Sequence, residues 1–256
     1  MFIAAGATDQ GCVRTANQDR ILVEPALDLY VVADGMGGHL HGELAAELAT
    51  ETMRYYMACS KDLSDATWPF GYNFELSTDM NRLVTSIQLA NRQVWNRAQD
   101  SPEYAGMGTT IAALLASGDI ATVANAGDSR VYLLRAGRLH QLSIDDTWVQ
   151  NMLRRGLTDE ASLRKHPMRN VLTQAAGSKE QLDVHGVELS LEAGDELLIC
   201  SDGLHGVIPD SEILLILALP EPEQNRVNRL VDAARAGGGP DNVSCILVHY
   251  EPSRME

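Results

Sequence analysis

IAALLASGDIATVANAGDSRVYLLRAGRLHQL, residues 111–142, contains three apolar runs separated by short polar links. Ile111–Ala116, Ile120–Asn125 and Val131–Arg135 are each of strand length and bounded by Gly, Asp or Asn. The links Ser117-Gly118-Asp119 and Ala136-Gly137-Arg138 place glycine where a hairpin turn takes a positive φ. Neighbouring strands therefore pair antiparallel. Outward from this core, Leu29–Ala33, Glu196–Cys200 and Val243–His249 have the same character. Helices alternate with these strand blocks. One is expected over Gly42–Cys59 and a second over Asp79–Gln99, where Leu83, Ile87, Ala90, Val94 and Ala98 share a face and Ser77, Thr78 and Asp79 supply the cap. A third opens at Pro209-Asp210-Ser211 and stops before Pro220. A fourth carries Val227, Leu230, Val231 and Ala234 and ends at Gly237–Gly239. The pattern is α+β in layers with antiparallel sheet.

The chain has 256 residues and is 45% hydrophobic, enough for a real core rather than disorder. A net charge of −15 would be repelled by nucleic acid and by anionic membrane surfaces, so neither is expected as a partner. Cys12, Cys59, Cys200 and Cys245 are scattered, without zinc-site or disulfide-scaffold spacing, which fits reduced thiols in a cytosol. Cys200 and Cys245 lie in strand-like runs, where a thiol serves as a small buried hydrophobe. MFIAAGATDQG lacks the basic flank and apolar length of a signal peptide, and Ile213–Leu219 is far below the ~20 residues of a membrane span. A soluble, cytoplasmic protein is expected. The irregular stretch 60–78 concentrates Trp68, Phe70, Tyr72 and Phe74, either as a docking surface or as an insertion folded over a helix. One domain over 1–256 is expected.

Aspartate followed by a small or amide residue recurs at Asp34-Gly35, Asp128-Ser129, Asp202-Gly203 and Asp241-Asn242. Any one such pair is most often a turn. Several at the ends of apolar runs can aim carboxylates at one place, and ionised carboxylates about 4 Å apart repel by roughly 4 kcal/mol at an effective dielectric of 20. A converging set needs a cation, and oxygen-only donors suit Mg²⁺ or Mn²⁺.

The strings TDQGCVRTANQDR (8–20), VVADGMGGH, GMGTT (106–110), NAGDSRVYLLRAGRLHQLS, HPMRNVLTQAAG (166–177), LLICSDGLHGV and GGGPDNVSCILV resemble, in order, the motif series of bacterial type 2C metal-dependent serine/threonine protein phosphatases. The resemblance implies a four-layer α-β-β-α sandwich, two antiparallel β-sheets flanked by helices, with two Mn²⁺ or Mg²⁺ ions at one end. By motif matching, Asp34 would bridge the ions, Gly35 would offer its carbonyl to one, and Asp202 and Asp241 would bind the other. Asp19 would orient their waters, and Asp128 with Asp202 would hold a third, weaker ion. Arg14 would grip the substrate phosphate through its planar fork. Eukaryotic relatives place a histidine directly after the Asp-Gly pair. Met36 stands there in this chain, and His39 is either a proton donor or a structural residue.

Residues 145–166 would form the flap beside the site. Its Arg154, Arg155, Arg164 and Lys165 either guide substrate or serve the helix surface. The familiar Asp-His-Ser at its start is changed to Asp145-Asp146-Thr147. The implied activity is hydrolysis of phosphoserine and phosphothreonine on proteins by a metal-activated water, opposing a serine/threonine kinase in bacterial signalling. The alternatives are a phosphoprotein-binding module without turnover and a small-molecule phosphoesterase.

Overall fold

Every residue from Leu29 to Ala33 is fully buried, which requires cover on both faces of that strand. The two-residue period sorts the side chains. Leu29 and Val31 meet Ala45, Met53, Leu83 and Ile87 of a helical layer, whereas Tyr30 and Val32 meet Leu197, Ile199, Ile246 and Val248 of a second sheet. On that second sheet Leu198, Cys200, Cys245 and Leu247 face outward onto Val227, Leu230 and Ala234. Helix, sheet, sheet and helix thus stack in four layers, as the sequence led us to expect. Burial on two faces is why these strands read as unbroken apolar runs.

The computed structural model describes residues 1–37, 41–62, 67–156, 166, 168 and 171–252. In chain order it runs β1 (Phe2–Asp9), β2 (Asp19–Glu24), β3 (Leu29–Met36), α1 (His41–Cys59), α2 (Thr78–Asp100) and a 3-10 turn at Pro102–Tyr104. Then come β4 (Gly108–Thr109), β5 (Ile111–Ser117), β6 (Ile120–Ala126), β7 (Arg130–Arg135), β8 (Arg138–Gln141) and α3 (Trp148–Arg154). The last part holds β9 (His185–Ser190), β10 (Glu196–Cys200), α4 (Asp202–His205), α5 (Asp210–Leu217), α6 (Glu223–Ala236) and β11 (Val243–Tyr250). One sheet has the order β1-β11-β10-β7-β8. The other is β2-β3-β5-β6-β9, with β4 beside β3, and every pairing is antiparallel.

The expected hairpins form. Gly118 takes φ +64°, and Ala136 and Gly137 take +50° and +71°, so the second turn sits on two consecutive left-handed residues. Ser77 caps α2 by accepting the Met80 N–H. In the 60–78 stretch, residues 63–66 lie outside the described residues. Trp68 packs edge-on against Tyr72, Tyr72 against Phe74, and Arg92 lies over Phe70. Phe74 itself is 90% exposed, so the cluster only partly folds down. Cys200 and Cys245 are buried as expected, and Cys12 and Cys59 are exposed thiols. No described helix is long and apolar enough to cross a membrane.

Candidate active site

The strand ends bring five aspartates to one end of the sandwich. Asp19 opens β2 and stands directly opposite Asp34 of β3. Asp202 opens α4 at the end of β10, Asp241 precedes β11, and Asp128 follows β6. Asp34 is fixed through its backbone. Its N–H donates to Thr110 Oγ1 at 3.1 Å, and its carbonyl accepts from Thr110 N and Thr109 Oγ1, both at 2.9 Å. Thr110 Oγ1 in turn bonds Ser129 Oγ at 2.7 Å, tying the residue beside Asp128 to the residue that holds Asp34.

Asp19 is 1% exposed, and its Oδ2 accepts from Ser201 Oγ at 2.9 Å. Ser201 Oγ also accepts the Ser244 N–H, and Ser201 N–H donates to the Ser244 carbonyl, so the ends of β10 and β11 set this carboxylate. Asn242 stitches the 10–18 loop to the site. Its amide donates to the Gln10 and Ala16 carbonyls, and its Oδ1 accepts the Gln18 N–H at 2.8 Å. Arg14, on that loop, donates to Asp241 Oδ2 at 2.6 Å with about half its side chain still exposed.

Two glycines permit the close packing. A Cβ on Gly35 would lie 2.0 Å from the Gly42 carbonyl oxygen, and one on Gly203 would lie 1.9 Å from that of Asn242. Both are rigid backbone, so glycine is required for α1 to seat against β3 and for the Asp202 and Asp241 loops to touch.

Asp19, Asp34, Asp128 and Asp202 are crowded by like charge and short of water. Burial pushes Asp34 well above the ordinary carboxylate range, and Asp19, Asp202, Asp128 and Asp241 push it further. Asp19 is raised to about 6, mainly by burial, against the downward pull of Ser244 and Ser201. Asp128 is raised to about 7 by burial and then by Asp202. Asp202 is raised by burial and then by Asp241. Asp19 Oδ1 and Asp202 Oδ1 are buried without a hydrogen-bond partner among the described residues. A buried carboxylate oxygen is stable only with a donor or a cation beside it. A hard divalent cation fits this set: all the side-chain donors are oxygen, the charge is in excess, and two oxygens stand unpaired.

A tighter trio of potential ligands, Glu196, Glu223 and His249, lies elsewhere, with donor atoms mutually within 4.8 Å. It is already served by Arg226, which binds Glu196 at 2.6 and 2.7 Å and Glu223 at 3.2 Å.

The model of the protein phosphatase 2C family matches residues 13–235, most of the chain and every one of the five aspartates but Asp241. The chain belongs to the protein phosphatase 2C family. The serine/threonine protein phosphatase PstP of Mycobacterium tuberculosis is 34% identical over 95% of this chain, which spans 44% of that relative's length. The serine/threonine phosphatase of S. agalactiae has 31% identity and a TM-score of 0.85, covering 98% of this chain and 100% of its own. A PstP catalytic domain in complex with two manganese ions has 30% identity and a TM-score of 0.80, with 97% of each chain covered.

Sequence reasoning within this 2C family placed the aspartates, Gly35 and Arg14 together, and the structure brings them together. His39, Arg164 and Lys165 lie outside the described residues. Arg154 and Arg155 sit at the end of α3, before Gly156 at φ +65°. The sequence assigned no role to the residues that hold the aspartates: Ser201, Ser244, Thr110, Ser129 and Asn242. Ser201, Ser129 and Asn242 directly adjoin a motif aspartate, Ser244 lies three residues after Asp241, Thr110 belongs to GMGTT, and all five are buried. Small polar residues next to predicted ligands are the available signal.

Proposed function

We propose that the chain is a metal-dependent phosphatase that hydrolyses phosphoserine and phosphothreonine on proteins, with residues 1–256 acting as one catalytic domain. The observation that carries this is the convergence of five aspartates, Asp19 and Asp128 among them buried, with two unpaired carboxylate oxygens and one half-exposed arginine at the rim. Asp34, Asp202, Asp241 and the Gly35 carbonyl would hold two ions, Mn²⁺ or Mg²⁺, and Asp128 with Asp202 a third, weaker one. The two manganese ions in the PstP catalytic domain support that number. When bound, such ions neutralise phosphate charge and make a water acidic enough to attack at neutral pH.

The protein's own groups do the rest. Asp241 holds the Arg14 guanidinium at 2.6 Å, which leaves its other N–H groups to bind phosphate oxygens in the planar fork. Asp19, locked by Ser201, keeps Oδ1 as a free acceptor that can orient a water's proton. Ser201, Ser244, Thr110 and Asn242 fix the carboxylates beforehand, so little reorganisation accompanies the reaction. His39, outside the described residues, keeps its two readings, proton donor to the leaving alkoxide or structural residue. A cytoplasmic setting and a serine/threonine kinase acting on the same phosphoproteins complete the proposal. The names of the bacterial relatives support the substrate class.

The test is phosphate release from a phosphothreonine peptide and from p-nitrophenyl phosphate, with Mn²⁺, Mg²⁺ or EDTA. Metal-dependent release from the peptide is expected. Release only from small esters would favour a small-molecule phosphoesterase, and metal binding without release from either would favour a phosphoprotein-binding module.

A further inference from the structure

The turn that aims Asp128 is clamped to the start of the flap by two buried side chains. Asn125 Nδ2 donates to the Ile144 carbonyl at 2.8 Å, and its Oδ1 accepts the Ile144 N–H at 3.1 Å. Asp146 Oδ2 accepts the Gly127 N–H at 3.0 Å, while the Asp146 N–H donates to the Gly127 carbonyl at 2.9 Å. Gly127 has φ +106°, and a Cβ there would lie 2.7 Å from the Thr110 side chain, so this turn is tightly packed. Asp128 is the next residue.

Asp146 also reaches the flap. Its carbonyl accepts from Thr173 N at 2.7 Å and Thr173 Oγ1 at 3.0 Å, and Thr173 Oγ1 accepts from Asn151 Nδ2 of α3 at 2.8 Å. Thr147 caps α3 by accepting the Gln150 N–H. The second carboxylate oxygen, Oδ1, bonds His185 Nε2 of β9 at 2.8 Å. The family resemblance expects a histidine at position 146. Here an aspartate stands there, and the imidazole comes from β9. Asp146, only 4% exposed, thus joins the Asp128 turn and a sheet edge through its side chain and the flap through its backbone carbonyl.

We propose that Asp146 is a positioning residue that couples the seating of α3 to the aim of Asp128. A shift of α3 pulls on Thr173 and Asp146, and the two Asp146–Gly127 bonds pass that displacement to the turn. Coupling of this kind is reciprocal, so an ion held at Asp128 also seats α3. The inference rests on Asp128 being a metal ligand, the role proposed for it under the phosphatase reading.

Amide hydrogen exchange over residues 147–155, with and without Mn²⁺, tests it in the wild type and in D128N, D146A and D146N. Mn²⁺ is expected to protect α3 in the wild type and not in D128N or D146A. Outer partners of a metal ligand typically change affinity 10–100-fold, so D146A should need about ten-fold more Mn²⁺ for half-saturation by calorimetry. D146N keeps an acceptor oxygen for the Gly127 N–H and should recover most of the response. A folded D146A that retains Mn²⁺-dependent protection of α3 overturns the proposal, as does a wild-type α3 that ignores bound Mn²⁺. Should D146A fail to fold, N151A breaks the flap-side bond alone and is expected to weaken the α3 response. An unchanged response in N151A would then overturn it. Loss of the response in D146A together with silence on every phosphorylated substrate would leave the coupling standing and remove the phosphatase assignment.

Discussion

Asp19 and Asp34 face each other directly across the β2–β3 pair, and both are deprived of water. Like charges opposite one another destabilise a sheet, so this pairing is held against its own electrostatics by the surrounding fold. Removing one charge should reveal the cost. D34N is expected to raise the Tm of the metal-free protein, by about 2–4 °C for each kcal/mol of repulsion relieved. The same variant should lose turnover and most of the stabilisation by Mn²⁺, which in the wild type is about 2.7 kcal/mol at a metal concentration 100-fold above Kd. Calorimetry in EDTA and in Mn²⁺ reads both. A lower Tm in EDTA would refute the electrostatic account.

The same charges set a pH dependence for the metal-free protein. Asp19 and Asp128 have folded pKa values of about 6 and about 7, above the ordinary value of 3.8. Between pH 4 and 7 the folded state therefore binds more protons than the unfolded state, and stability falls as pH rises. Unfolding in urea with EDTA should show this decline across that window. Saturating Mn²⁺ should flatten or reverse it, because ions favour the ionised carboxylates. A metal-free stability that climbs from pH 4 to 7 would contradict the burial and crowding described here.

Arg14 touches the site through Asp241 and remains about half exposed. R14A is expected to raise KM for a phosphopeptide roughly ten-fold or more, with a smaller fall in kcat, since a charge-assisted contact to phosphate is worth about 1.5–3 kcal/mol. R14K should recover only part, because an ammonium cannot pair two oxygens in a plane. Steady-state kinetics decide, and an unchanged KM in R14A would remove Arg14 from the phosphate site.

Much of the fold was legible because β3, β5, β6, β10 and β11 are buried on two faces and announce themselves as apolar runs. β1, β2 and β9 were not singled out. They lie at sheet edges with half-covered faces, and segments such as HGVELS carry too little hydrophobic signal. The 202–205 helix was hidden by its brevity, and of α3 only the end near Gly156 was legible, through Arg154 and Arg155, because WVQNMLR is of mixed polarity and none of it is buried. In the site, the aspartates stood out through recurrence with glycine. Ser201 and Ser244 did not: near Asp202 and Asp241 they are only small polar neighbours, and the carboxylate that Ser201 orients lies 182 residues earlier in the chain.

Gly203 offers a test of packing rather than charge. A Cβ at this position would stand 1.9 Å from the Asn242 carbonyl oxygen, so G203A must separate the loops that carry Asp202 and Asp241. It is expected to cost stability in the upper range for point substitutions, about 3 kcal/mol or more, and to weaken Mn²⁺ binding. Denaturant titration with and without Mn²⁺ measures the two effects. Near-wild-type behaviour would show that the contact between the loops is dispensable.

β1 pairs with β11 over its whole length, from Phe2 opposite Tyr250 to Asp9 opposite Val243. Asp19 therefore waits on a strand made more than two hundred residues later before its serine partner Ser201 is locked in place by Ser244. On the ribosome, the layer of α1 and α2 would be made early, the layer of α5 and α6 late, and the aspartate end could be set only once β11 had emerged. Until β11 has emerged, Asp19 and Ser201 would have no fixed relation to each other, so the gathering of the aspartates is a late folding event tied to contacts of high sequence separation.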